Sequence, residues 1–349
     1  MIKSIQYQND VMTAAQMNLN WEKLRGSSVF ITGATGMIGR FLIDVLRYRN
    51  RSYHDNIRIC GVTRNVERAR EQFEEWEKGD LSFLQWDVTT PLVCEERFDY
   101  IIHGASNTHP FAYSSDPVGT ITGNVMGLLH LLEHARRYKP RRVLMLSSVE
   151  IYGENTGSKP EFGEEDLGYL DCNTVRAGYP ESKRLCESMC QAYRTQYGID
   201  FVTGRLSRVY GPTMRDDDSK ALSQFIKKAV SGEDIVLKSE GNQYYSYTYV
   251  ADAVMALLLI LTEGVSGEAY NIADQRSDIT LRELAGLLAE MAGTKVVFEL
   301  PDRKEKEGYS TATRAILDGR KIQALGYRSA FPIKEGLRHT LSAMKGQGV

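Results

Sequence analysis

Short apolar runs and helical stretches alternate along most of this chain. Val29-Phe30-Ile31 reads as a strand, and Ile38 to Arg47 as an amphipathic helix. Ile57 to Val62 is a second strand, and Asn65 to Glu77 a strongly charged helix with a solvated face. Ser82 to Trp86, Tyr100 to His103, Val143 to Leu146 and Phe201 to Arg205 continue the strands. Gly119 to Arg137 and Tyr179 to Gln196 supply the long helices between the later ones. β-rich runs alternating with helices predict an α/β fold, a doubly wound parallel sheet of the Rossmann type. After Tyr210-Gly211-Pro212 the texture changes. Helices at Lys220 to Ser231, Ala251 to Glu263 and Thr280 to Met291 alternate with short strands and polar loops. This reads as a smaller C-terminal α/β substrate lobe, one segment of which could return to the main sheet. A lead-in precedes the first strand, with a helix expected from Asp10 to Arg25, closed by Gly26. The expected division is 1–27 for the lead-in, 28–211 for the cofactor-binding domain and 212–349 for the substrate lobe.

Composition narrows the function only by exclusion. A formal net charge of -2 gives no electrostatic case for nucleic acid or a membrane surface as partner. The longest apolar stretch, Ala253 to Leu261, is about half of what a bilayer crossing needs. No signal-peptide pattern is legible near the start. Five cysteines lie scattered without metal-ligand spacing. Cys186 and Cys190 share a helix face but lack a second pair, so reduced thiols of a cytoplasmic protein are expected, with no metal.

The candidate chemistry starts at the first strand–helix junction. Glycines stand at 33, 36 and 39 in Thr32-Gly33-Ala34-Thr35-Gly36-Met37-Ile38-Gly39. Gly33 allows a tight turn, Gly36 a close backbone approach to a pyrophosphate, and Gly39 close packing of the helix on the sheet. The free amides and positive end of the helix would then hold the anion, with Thr35, Met37 and Ile38 lining it. After the second strand, where an acid would bind the ribose of NAD, the chain reads Thr63-Arg64-Asn65. Arg64 could face a 2′-phosphate or lie over adenine, which keeps NADP as a close alternative to NAD.

Tyr179 and Lys183 form Tyr-x-x-x-Lys on one face of a helix. A phenol ionises near pH 10 in water. A lysine one turn away, helped by a positive nicotinamide ring, would favour the phenolate and make Tyr179 a usable base. Ser147-Ser148 closes the strand before it, and Ser148, with Ser147 second, is expected to polarise the reacting alcohol or carbonyl.

These residues closely resemble the extended short-chain dehydrogenases/reductases, the epimerase/dehydratase group, from about Ser28 to Leu341. The resemblance implies that Asp87 and Val88 meet adenine and that Gly104, Ala105 and Ser106 lie against the cofactor. Asn124 matches the group's central-helix asparagine, near the active site and counted with the cofactor contacts. Arg205-Leu206-Ser207-Arg208-Val209-Tyr210-Gly211-Pro212 resembles the strand leading into the substrate lobe, and Tyr249-Val250-Ala251-Asp252 a motif opening a late helix. The implied substrate is a nucleotide-diphosphate sugar, oxidised to a keto-sugar that is re-reduced or loses water or carbon dioxide. A homodimer is the expected assembly.

The chain also departs from its group. The 4,6-dehydratases place Asp-Glu after the catalytic hydroxyl, and this chain has Val149-Glu150. The UDP-glucuronate decarboxylases carry an arginine where Tyr245 stands, and the group has asparagine where Arg208 stands. Lys306 lies where relatives place another phosphate-binding base. Arg208, Tyr245 and Lys306 are therefore the expected substrate contacts. The tyrosines at 244, 245, 247 and 249 could stack on a base or pack a strand, and His103 and His109 could be structural or touch substrate.

Epimerisation at C4 is favoured because it needs only Tyr179, Lys183, Ser148 and a rotating ketone. Decarboxylation or dehydration using Glu150 is the alternative within the chemistry. A cofactor-binding sensor without chemistry has no need of the Tyr179/Lys183 pair, and reduction of a small free carbonyl compound has no need of the long C-terminal lobe.

Overall fold

The computed structural model describes residues 2, 4–73, 79–108, 110–155, 159–299 and 313–345. Its centre is a seven-stranded, all-parallel sheet. In chain order six of the strands are β1 (Ser28–Thr32), β2 (Arg58–Thr63), β3 (Leu81–Gln85), β4 (Tyr100–His103), β5 (Arg142–Ser148) and β6 (Phe201–Leu206). Three short strands, β7 (Arg208–Tyr210), β8 (Ile235–Leu237) and β9 (Tyr244–Tyr249), precede the seventh, β10 (Ala269–Ile272). Spatial order is β10-β6-β5-β4-β1-β2-β3, so the winding reverses between β1 and β4. Ligands of such sheets bind at the carboxyl ends of the strands beside that reversal. The five residues of β1 are all buried, as a strand covered on both faces requires.

Helices α1 (Ile5–Ala15), α2 (Met37–Tyr53), α3 (Val66–Gln72), α4 (Pro110–Ser115), α5 (Pro117–Tyr138) and α6 (Gly178–Tyr197) come first along the chain. α7 (Ala221–Ser231), α8 (Val250–Glu263), α9 (Leu281–Ala292), α10 (Arg320–Ala324) and α11 (Ile333–Lys345) follow. The sheet separates two apolar clusters. Val29, Ile31, Phe41 and Leu257 belong to one, and Phe30, Ile101, Leu131 and Cys190 to the other. No described helix is long and apolar enough to cross a membrane. The strand β10 and the helix α8 that feeds it thus lie with the main sheet, whereas β9 pairs with β7, with β11 (Asp278–Thr280) and with β13 (Arg314–Ala315). Between those two in the chain, β12 (Val296–Phe298) pairs with β8.

Several helix boundaries differ from expectation, and α2 runs on to Tyr53 rather than ending at Arg47. The lead-in helix runs from 5 to 15 rather than from 10 to 25, because Ser4 caps it and its apolar face is set by Tyr7, Val11, Ala14 and Ala15. Beyond Gln16 the chain breaks and makes only a 3-10 turn at Trp21–Lys23. α3 ends at Gln72, where Phe73 turns into the core. Residues 74–78 lie outside the described residues.

α1 fills a position that touches both parts of the molecule. The Tyr7 hydroxyl donates to Asp44 of α2 at 2.7 Å. Asp10 accepts from the Tyr249 hydroxyl at 2.6 Å and meets His339 Nδ1 of α11 at 2.8 Å. All these side chains are buried. Asp10→Ala leaves the Tyr249 hydroxyl inside without its acceptor, and the expected cost is ~1–3 kcal/mol. A fall in the urea midpoint measures it; an unchanged midpoint would show that the network does not hold α1 in place.

Candidate active site

The carboxyl ends of β1, β4 and β5 finish on one rim of the sheet. Gly33 turns there with φ +73°, and a Cβ on it would lie 2.7 Å from the Gly104 carbonyl oxygen, so only glycine fits. Gly36 is the N-cap of α2 and offers no side-chain cap, and no acid lies in the first turn. The first amides of α2, at Met37 and Ile38, therefore meet no competing side-chain cap, which suits a phosphate. A Cβ on Gly39 would fall 2.2 Å from the Gly33 carbonyl oxygen. That corrects the expected role: Gly39 lets the helix close on the turn itself rather than on the sheet. The Gln72 amide reaches the Thr35 carbonyl at 3.4 Å, and the Thr213 hydroxyl that of Met37 at 3.0 Å.

Opposite the glycine turn, Thr32 organises the loop after β4. Its hydroxyl accepts from the amides of Gly104 and Ala105, both at 3.1 Å. Its own proton therefore goes to His103 Nδ1, 2.9 Å away, which leaves the histidine proton on Nε2. Burial, reinforced by the Lys183 charge, pushes His103 down to about 3, so it is a neutral structural group. His109 lies outside the described residues. Ser106 donates to Asn124 Oδ1 at 2.7 Å, and Asn124 Nδ2 donates to Ser182 of α6 at 2.8 Å. Both ends of that amide are engaged, so Asn124 braces the β4 loop to α6. Asp87 is exposed at the end of β3 and accepts from the Thr89 amide and hydroxyl. Those two hydrogen bonds, with the charge of exposed Arg64, hold its carboxyl below the usual range. Val88 packs on Gly127 of α5, and its carbonyl meets His130 Nδ1 at 3.1 Å.

Tyr179 and Lys183 lie buried on α6, facing the end of β5. The Ser148 hydroxyl lies beside the Tyr179 phenol and offsets part of its upward shift, whereas Ser147 is turned away and donates to Glu187 at 2.6 Å. The geometry therefore selects Ser148. Glu187 continues the Lys183 face of α6 and pairs with Arg205 of β6 at 2.7 Å, the two side chains being 15% and 8% exposed. Arg205 also donates to the Tyr152 hydroxyl at 3.0 Å, which donates in turn to Asn271 of β10.

The ionisation expected of Tyr179 is not set up by the protein alone. Burial, followed by the Glu150 carboxylate, drives the phenol upward, and Ser148, Arg176 and Tyr113 only partly offset this. Lys183 does not bond the phenol: Nζ donates to the Leu146 carbonyl at 3.0 Å and stands 5.9 Å from the centre of the Tyr179 ring. Burial lowers its own pKa. Helix spacing placed the lysine nearby but could not weigh the desolvation. Sequence reasoning also passed over Tyr113, whose ring stacks on Tyr179 at 4.7 Å, and Arg176, which pairs with Glu150 at 2.8 Å. Val149 is buried in the core, so Glu150 is the acid of its pair that faces the site.

On the substrate side β7 lies parallel to β9, with Arg208 opposite Tyr247. The Arg208 guanidinium carbon sits 3.4 Å from the centre of the Tyr245 ring, and Nη1 is buried without a hydrogen-bond partner. Tyr247 and Tyr249 are buried strand packing, and the Tyr244 ring carries Arg314 at 5.2 Å. Lys306 lies outside the described residues. Among the described residues no group of side chains could hold a metal ion.

Residues 29–273 match the model of the NAD dependent epimerase/dehydratase family. The UDP-glucuronic acid decarboxylase 1 of Xenopus tropicalis is 30% identical over 90% of this chain and 71% of its own length. The UDP-glucuronic acid decarboxylase 3 of Arabidopsis thaliana is 30% identical over 88% of this chain and 86% of its own. A dTDP-glucose 4,6-dehydratase structure from Streptomyces venezuelae, with NAD bound, superposes with a TM-score of 0.77 at 26% identity, covering 91% of this chain and 97% of that one.

Neutral His103 has a consequence for acid stability. Its folded pKa of about 3 lies below the ordinary 6.5, so below pH 6.5 the unfolded chain takes up a proton that the folded one refuses. The contribution is complete above pH 6.5 and is lost progressively as pH falls toward 3. It amounts to at most ~5 kcal/mol. His103→Asn is expected to flatten the decline of the urea midpoint across that window. An equally steep decline in the variant would show that other groups carry it.

Proposed function

Because the chain belongs to the NAD-dependent epimerase/dehydratase family, we propose that it oxidises the C4 hydroxyl of a nucleotide-diphosphate sugar to a ketone, with NAD as cofactor. The supporting observation is the buried Tyr179, with the Ser148 hydroxyl beside it and Lys183 one turn on, beside a rim that suits a dinucleotide. NAD, when bound, supplies the acceptor for the hydride leaving C4 and a positive ring near Tyr179. Tyr179 takes the hydroxyl proton, and Ser148 holds the oxygen in line. Gly33, Gly36 and the start of α2 would hold the pyrophosphate, and exposed Arg64 would meet the adenosine ribose.

Inversion at C4 asks nothing more of the protein than these groups and room for the ketone to turn. A second reading, loss of carbon dioxide from a uronic acid at the same ketone stage, is favoured by Glu150 beside Tyr179 and by the decarboxylase relatives. Water elimination lacks its usual acid at Val149. Incubation with NAD and with UDP-glucose or UDP-glucuronate, followed by mass spectrometry, separates the outcomes. A nucleotide sugar of unchanged mass that chromatography separates from the substrate is the 4-epimer, and one lighter by carbon dioxide is the pentose. Tyr179→Phe should fold normally and slow turnover at least ~100-fold. Wild-type rates in that variant would sink the assignment, and a preference for NADP that vanishes in Arg64→Ala would reverse the cofactor.

Arg208 is proposed to hold the substrate diphosphate. Two phosphate charges losing water need cations or several N–H donors. Arg208 forms no ion pair among the described residues, and it lies on the ring of the residue that replaces the decarboxylase arginine. Arg208→Ala is expected to weaken UDP binding by ~1.5–3 kcal/mol in calorimetry, the scale of a charge-assisted hydrogen bond, with little change in melting temperature. Normal binding in a variant that melts early would make Arg208 structural.

A further inference from the structure

Arg176 belongs to the 3-10 turn Val175–Ala177 that leads into α6. Its Nη2 lies 2.8 Å from each carboxylate oxygen of Glu150, a pair whose side chains are 26% and 24% exposed. The guanidinium carbon stands 4.7 Å from the centre of the Tyr113 ring. That ring stacks on Tyr179 at 4.7 Å with 25° between the planes. The Arg176 Nε is buried and has no hydrogen-bond partner. The cation is thus held between the Glu150 carboxylate and the Tyr113 ring, which in turn stacks on Tyr179.

We infer that Arg176 is a positioning residue that neutralises Glu150 beside the Tyr179 phenol and so lets Tyr179 act as the base. This rests on the proposed role of Tyr179. The groups facing the phenol come from five places, the end of β5 with Ser148 among them. Glu150 lies on the turn after β5, Tyr113 on α4, Arg176 on the turn before α6, and Lys183 on α6 itself. Ser148 and Tyr113 contribute neutral hydroxyls, and His103, behind Lys183, is neutral. Removing the phenol proton places a second negative charge beside Glu150 in a site with little water, which is costly unless a cation is there. Lys183 is 5.9 Å from the ring centre and commits a hydrogen bond to the Leu146 carbonyl. Arg176 is the cation in contact with Glu150, and a guanidinium keeps its charge at any physiological pH. Without it, Glu150 would oppose the base it adjoins.

The alternative is a staple that merely joins the Glu150 turn to the Arg176 turn. The two differ in what they do to the ionisation of residue 179. A trifluorinated tyrosine placed at position 179, whose phenol is intrinsically more acidic, brings the titration into an accessible range and reports it by fluorine NMR. The measurement needs neither cofactor nor sugar. Arg176→Gln is expected to raise the midpoint by about one pH unit or more. Arg176→Lys is expected to stay near the parent, and adding Glu150→Gln to Arg176→Gln to bring the midpoint back. Glu150→Gln alone must lower it, which keeps the test open if Arg176→Gln does not fold. An unmoved midpoint in Arg176→Gln with a lowered melting temperature makes Arg176 a staple. A double variant that stays high, or a Glu150→Gln variant that does not shift, overturns the inference equally. Failure to convert any nucleotide sugar would count against the proposed function and leave this titration intact.

Discussion

The buried pair of Glu187 and Arg205 is the contact on which the site hangs. It ties α6, which carries Tyr179 and Lys183, to β6 beneath it. Ser147 donates into the same carboxylate, so the end of β5 is held in register, and its neighbour Ser148 is left to face the phenol. Arg205 reaches on to Tyr152, and through it to Asn271 of β10. Removing one partner of such a pair typically costs about 3–5 kcal/mol, because the other charge stays buried. On the proposed function, a phenol, a hydroxyl and a ketone must lie within hydrogen-bond reach; that tolerates little slack, and this pair removes it.

The parts legible in the sequence are those whose meaning is local. The glycine turn, the run of strands and the Tyr-x-x-x-Lys face depend on residues within a few positions of one another. Arg176 and Tyr113 were missed because their value lies in a meeting of α4, the turn after β5 and the turn before α6, which no spacing reveals. The upward pull of burial on the Tyr179 phenol was missed for a related reason. Helix geometry locates the lysine, but desolvation depends on everything packed around the phenol. The lead-in helix was displaced because its start rests on a lone Ser4 cap, while its apolar face packs on α2, α8 and α11. A proline or an Asp-Pro cap, as at Asp116-Pro117, would have marked its start more plainly than Ser4 does.

On the proposed role of Arg208, the substrate side has one charge moved rather than lost. β7 and β9 run side by side, so an arginine on one strand can deliver its guanidinium over a ring on the other. Tyr245 contributes a flat aromatic floor, which a guanidinium covers well through stacking and cation–π attraction. Such a floor fixes the plane of the arginine and leaves its edge free for hydrogen bonds. If Arg208 holds the diphosphate as proposed, neighbouring strands share a role that a single position would otherwise carry.

The place of α1 bears on how the chain is made. Asp10 and His339 are 329 residues apart in sequence, yet they share a hydrogen bond in the interior. At the usual ~5–20 residues per second of synthesis, Asp10 waits roughly 15 s to a minute before His339 exists. Through that interval the apolar stripe of Tyr7, Val11, Ala14 and Ala15 lacks part of its shelter. It is a surface on which a chaperone could act, or a neighbouring nascent chain could stick. The helix nearest the start of the chain is among the last to find its place.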